Sequence, residues 1–130
     1  MPTVDINADI GEGMPWDDEL MEIVTSVNVC LGEHAGKWED SLRTMERARA
    51  KGLRVGFHPG YPDRPGFGRD TIQPDRETMW LGSIEAQVQK AIDAFEPDYV
   101  KPHGAFYHDA EGSIAVSHTL GVCLNIVRKP

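Results

Sequence analysis

From Thr3 to Ile10 polar and apolar residues alternate, with Val4, Ile6, Ala8 and Ile10 on one side and Asp5, Asn7 and Asp9 on the other. A period of two is that of a β-strand whose faces meet different surroundings. Val27 to Gly32, Leu53 to His58 and Tyr99 to His103 read the same way, and Gly121 to Val127 gives a weaker fifth strand. The stretches between them have helical spacing. Asp17 to Ser26 opens on Asp17, Asp18 and Glu19, suited to the positive end of a helix, and repeats Leu20, Ile23, Val24 and Val27 on one stripe. Trp38 to Lys51 repeats Trp38, Leu42, Met45 and Arg49, and Gly52 after it is a natural stop. Pro74 opens a third helix, striped with Leu81, Ile84, Val88, Ala91 and Phe95 and ended by Pro97, and a fourth is expected near Glu111 to Leu120.

Strands separated by helices predict parallel pairing with right-handed crossovers, so the fold class is α/β. Residues 1–130 are expected to form a single α/β domain, enough chain for one modest core. Hydrophobic residues make up 40% and charged residues 26%, which excludes a disordered chain. A formal net charge of −8 repels phosphate backbones and anionic lipid, so neither nucleic acid nor a membrane surface is an expected partner. Without a long apolar run or a basic, apolar leader, the expected location is cytoplasmic. Cys30 and Cys123 have no Cys-x-x-Cys spacing and read as reduced core residues.

The strand pattern also carries the chemistry. Each of the first four strands has an aliphatic face for helices to cover and a polar or small face, the latter ending in Asp9, His34, His58 or His103. In a barrel of parallel strands that face points inward, and active sites form at the C-terminal strand ends. Asp5 and Asp9 are about 13 Å apart along one strand, too far to act as an acid/base pair, and Asp5 reads as structural. Between His58 and Arg69 the chain is rich in Pro and Gly and long for a strand-to-helix connection, as befits a shaped active-site loop; Tyr61, Asp63 and Arg69 are its candidates. Gly11-Glu12-Gly13 and Gly66-Phe67-Gly68 are weak as nucleotide motifs, because neither has the spacing or the lysine of a P-loop. His108 and His118 follow no strand-end pattern.

Four motifs stand in order along the chain: Asp5-Ile6-Asn7-Ala8-Asp9-Ile10-Gly11-Glu12-Gly13; Gly32-Glu33-His34-Ala35-Gly36; His58-Pro59-Gly60-Tyr61-Pro62-Asp63 with Gly66-Phe67-Gly68-Arg69; and Lys101-Pro102-His103-Gly104-Ala105-Phe106-Tyr107. Together they resemble the N-terminal half of the LamB/YcsF family of lactam-utilization proteins, described as the A subunit of 5-oxoprolinase. The resemblance implies the first half of a TIM-like (β/α) barrel of the glycoside hydrolase/deacetylase type. It implies a hydrolase acting on a cyclic amide, opening 5-oxo-L-proline to L-glutamate with partner subunits B and C and with ATP used through the complex. Carried onto this chain, it makes Asp9, His58, His103 and Lys101 the catalytic candidates, and Asn7, Glu12, His34, Tyr61, Asp63 and Arg69 the substrate-binding ones. Glu33 and Lys37 depart from the family pattern, which usually has an aromatic and an acid there.

Two alternatives accompany this reading. One is a metal-dependent deacetylase-like hydrolase with Asp9, His34, His58 and His103 as ligands to a divalent metal. The other is a truncated, non-catalytic binding protein of the same family. A barrel of this type normally takes about 250 residues, so the open strand edges of a half barrel predict a homo-oligomer.

Overall fold

In the computed structural model, which describes residues 2–128, strand β1 (Asn7–Ile10) leads through α1 (Asp17–Met21) to β2 (Ser26–Cys30). The chain continues through α2 (Trp38–Ala50), β3 (Arg54–His58), α3 (Glu77–Ala94) and β4 (Tyr99–Val100), and finishes in α4 (Gly104–Gly112) and α5 (Ile114–Val127). The strands form one parallel sheet in the order β1-β2-β3-β4. Sequential order with a helix between neighbours is the strand arrangement of a partial (β/α) barrel.

The alternation read from the sequence decides which face meets the helices. Val27, Val29, Val55 and Phe57 are fully buried with Met45 and Ala48 of α2 and Ile84, Val88 and Ala91 of α3. On the opposite face Asn28 donates to Asn7 Oδ1 (2.8 Å) and Asp9 Oδ1 (3.0 Å), and the Tyr99 hydroxyl reaches Asn28 Oδ1 at 2.7 Å. Gly56 makes that reach feasible: a Cβ there would meet the Tyr99 ring at 2.1 Å. Burial pushes the Tyr99 hydroxyl up to about 12, so it stays a donor. Below this layer Asp5 accepts from the hydroxyls of Thr25 and Ser26 and lies 3.5 Å from Arg54, the structural role expected of it.

Several elements differ from the sequence reading. Gly121 to Val127 is not a fifth strand but the second half of α5. That helix is capped by Ser113, whose hydroxyl accepts from the Val116 amide, and it buries Val116, Thr119 and Cys123 at helical spacing. A short apolar run rich in β-branched residues looks alike in a strand and a buried helix, and packing against α3 decided it. The single helix expected near Glu111 to Leu120 is two helices broken at Ser113. Helix α1 stops at Met21, leaving Ile23 exposed, and β1 starts only at Asn7, with Val4 and Ile6 exposed. β4 keeps two residues because Pro102 ends it, although the Lys101 amide still donates to the Phe57 carbonyl at 2.8 Å.

Cys30 and Cys123 are free and buried, and burial first of all pushes their thiols up to about 11 and about 12. Among the described residues no single helix is long and apolar enough to cross a membrane.

Candidate functional site

The C-terminal ends of the strands converge as the alternation requires. Asp9 ends β1's polar face, His58 closes β3, and Lys101 and His103 follow β4. Lys101 Nζ donates to Asp9 Oδ1 at 3.0 Å, and Asp9 Oδ2 lies 3.5 Å from His58 Nε2. Burial works to raise the Asp9 carboxyl, but His58, Asn28 and Lys101 together outweigh it and hold it far below the usual carboxylate range. Asp9 is therefore an ionised acceptor. Asp9, His58, Lys101 and His103 line one cleft of about 330 Å³ together with Arg69, Pro102, Gly104, Tyr107 and His108.

Beneath the cleft lies a second, buried group. His34, His58 and His103 pack as a cluster, the rings of His34 and His103 stacked 3.7 Å apart and 6° from parallel, with His58 edge-on to both. Glu12 reaches over them: its Oε1 is 3.5 Å from His34 Nε2, 3.6 Å from His58 Nε2 and 3.9 Å from His103 Nδ1. One donor atom from each of the four residues falls within 4.8 Å of the others, a group able to hold a metal ion. Asp9, named among the ligands in the metal reading of the sequence, is engaged with Lys101 and Asn28 instead, and Glu12 takes its place in the group.

Burial opposes the charge on Glu12, but the nearness of His34, then of His58 and His103, keeps its carboxyl below the ordinary value. Burial lowers His34, and burial followed by the field of His34 lowers His103 to about 4. Near neutral pH the group therefore contains a carboxylate and at least two neutral imidazoles.

The loop at 59–76, long and irregular as the Pro and Gly content predicts, roofs this group. Gln87 of α3 clamps it by donating to the Gly60 carbonyl at 2.8 Å. Phe67 has a left-handed backbone (φ 56°), unusual for a non-glycine residue, and its carbonyl accepts from His103 Nε2 at 2.7 Å. Such over-determined strain marks functional sites, and no periodicity in the sequence could have found it.

The other candidates divide. Arg69 lines the cleft, its guanidinium 5.0 Å over the Phe67 ring. Asn7 sits two residues before Asp9 on the same strand face, tied to Asn28. Tyr61 is fully buried between Trp80 and Phe106 and donates to Asp109 Oδ2 at 2.8 Å, so it faces the core rather than the cleft. Asp63 is buried within its loop and accepts from the Gly66 amide at 3.0 Å. The glycine-flanked turns spend amides internally, the Gly11 amide donating to Asp17 and the Gly68 amide to the Asp63 carbonyl. Glu33 and Lys37, the departures from the family pattern, are not buried, and the charge beside His34 comes from Glu12. His108 and His118 are exposed. Asn28, Phe67 and Gln87 belong to the site although the sequence pattern does not single them out.

The LamB/YcsF family profile matches residues 4–128. The A subunit of 5-oxoprolinase from Neisseria meningitidis serogroup C (strain 053442) is 36% identical over 126 residues, covering 92% of this chain and 51% of that protein. Its counterpart from Histophilus somni (strain 129Pt) is 39% identical over 116 residues, 85% of this chain and 46% of that one. The crystal structure of the lactam utilization protein from Thermus thermophilus is similar with a TM-score of 0.74 at 30% identity, covering 95% of this chain and 54% of that one. The chain thus spans about half the length of these relatives.

Proposed function

The chain belongs to the LamB/YcsF family, and on that premise we propose that it serves as the A subunit of an ATP-dependent 5-oxoprolinase, opening 5-oxo-L-proline to L-glutamate with partner subunits B and C. One observation supports this above the others: the ion-paired Asp9 and Lys101 line a cleft of about 330 Å³ at the C-terminal strand ends, beside His58, His103 and Arg69, a volume that suits a small cyclic amide. A five-membered lactam is a stable amide, and its carbonyl must be activated before water can attack. ATP, handled through the complex, phosphorylates the lactam oxygen; water adds to the carbon, the ring nitrogen gains a proton as the C–N bond breaks, and a second water releases phosphate from the resulting acyl phosphate to leave glutamate. Lys101 offsets the negative charge that develops at the reacting carbon's oxygen. Asp9, ionised, accepts a hydrogen bond from the attacking water and orients it toward the carbon. Arg69, at the rim, suits the substrate carboxylate, and Asn28, itself tied to Asn7, holds Asp9 from below. The imidazoles of His58 and His103 form the floor against which the ring rests.

The test is glutamate release from 5-oxoproline when this chain is mixed with subunits B and C and ATP. We expect turnover only with all components present. A complex shown to be assembled yet yielding no glutamate overturns the reading and favours a binding protein without catalysis.

ATP chemistry of this kind puts the chain in the cytoplasm. The reading also includes self-association, because β1 and β4 each leave one edge unpaired among the described residues, beside exposed Val4 and Ile6 on one side and Leu124 on the other. Two four-stranded units around a twofold axis along the barrel give the eight parallel strands of a closed barrel. Light scattering on the isolated chain should return a multiple of the 14.4 kDa monomer mass. A strictly monomeric chain at micromolar concentration removes this part of the proposal.

A further inference from the structure

We propose that Glu12, His34, His58 and His103 hold one divalent cation of the zinc class, four-coordinate, through Glu12 Oε1, His34 Nε2, His58 Nε2 and His103 Nδ1. The inference does not rest on the lactam reading; it concerns what these four side chains bind, whatever substrate enters the cleft.

Hydrogen bonding around the histidines makes the case. His58 Nδ1 is 2.7 Å from the Lys101 carbonyl and His103 Nε2 is 2.7 Å from the Phe67 carbonyl. A carbonyl only accepts, so the proton of each neutral ring is fixed on the nitrogen that faces it. With both rings neutral, the nitrogens left over, His58 Nε2 and His103 Nδ1, present lone pairs, and they face each other at 3.0 Å. Two lone pairs at that distance repel unless a cation lies between them or beside them. The neighbouring atoms have the same need: Glu12 Oε1 and both nitrogens of His34 are buried without a hydrogen-bond partner among the described residues. Buried polar atoms in folded proteins are paired, and unpaired ones call for an explanation such as an ion.

Geometry then selects the ion. Zinc binds imidazole and carboxylate with arms of about 2.0–2.2 Å, and a tetrahedron with such arms has edges of about 3.4 Å. The separations among the four donors are 3.0, 3.5, 3.6 and 3.9 Å where they involve Glu12 or join His58 to His103. Three imidazoles and one carboxylate favour zinc and its first-row neighbours over magnesium or calcium, which take mainly oxygen ligands. The backbone carbonyls on His58 and His103 are the usual outer partners that orient metal-bound imidazoles. His58 and His103 also line the cleft, so the ion would lie at its floor, beside the Asp9–Lys101 pair. In that arrangement the imidazoles hold an ion rather than carry protons.

The experiment uses the full chain without an affinity tag, stripped with chelator and titrated with Zn²⁺ or Co²⁺, with metal content measured after gel filtration. We expect about one ion per chain and, for cobalt, the intense visible absorption of a four-coordinate site. Glu12→Gln and His58→Ala should each weaken binding by at least about 10²-fold, since even outer-shell changes cost 10–100-fold. Gly60→Ala retains all four ligand residues but sets a Cβ 2.6 Å from His34 Nδ1, which displaces that ring and should weaken binding too. His118→Ala, on the surface, should bind as the parent does. The proposal is overturned if the parent chain takes up no stoichiometric ion, or if folded Glu12→Gln and Gly60→Ala bind as tightly as the parent. It is also overturned if the metal-free chain shows a downfield N–H···N proton resonance joining His58 to His103 that added zinc leaves unchanged, because a proton then fills the gap.

Discussion

Phe57→Ala should destabilise the chain by about 3–5 kcal/mol, the range for truncating a fully buried aromatic. Phe57 sits in the third of four strands, registered against Val29 on one side and Val100 on the other, with no exposed surface. Its ring fills space between the sheet and the helices that cover it, and neither α2 nor α3 can follow the ring inward without giving up its own contacts. The loss is a large share of the roughly 5–15 kcal/mol that keeps a domain folded. Urea denaturation followed by circular dichroism measures it. Ile114→Ala is the comparison, because Ile114 is 92% exposed and its truncation should cost no more than about 0.5 kcal/mol. A Phe57→Ala cost below about 1 kcal/mol would mean that the helices do not pack on this face as described.

The same burial explains which parts of the molecule could be read from its sequence. Strands β2 and β3 and helix α2 are legible because one face of each meets the core, so a period of two or of 3.6 is imposed residue by residue. Helix α5 is not, because Gly121 to Val127 is largely apolar and its conformation follows from packing on α3 rather than from local pattern. At the site, alternation alone brings Asp9, His58, Lys101 and His103 to one end of one face. Glu12 is different. It sits in a turn between Gly11 and Gly13, both with positive φ, and that turn carries its carboxylate back over the histidines. A strand pattern says nothing about such a return. Tyr61 is less legible for a related reason: its Pro- and Gly-rich surroundings suggest a shaped active-site loop, while contacts with Trp80 and Phe106, distant in sequence, draw its ring into the core.

Lys101→Ala should lower glutamate formation by the assembled complex about 10²–10³-fold, the usual consequence of removing a group aimed at developing negative charge. Stability should hardly change. The Lys101 and Asp9 side chains are 39% and 40% exposed, and an ion pair this open to solvent contributes at most about 1 kcal/mol. Asp9 also keeps its hydrogen bond from Asn28, so the carboxylate stays in place without the lysine. Because Lys101 is asked to act on charge that exists only in the transition state, the loss should fall on kcat and leave KM nearly unchanged. Lys101→Arg retains the cation but replaces a compact ammonium with a planar fork, and it should recover part of the rate. A rise in KM with kcat intact would instead mean that Lys101 binds the substrate carboxylate, and the partner for that charge would then be Lys101 rather than Arg69.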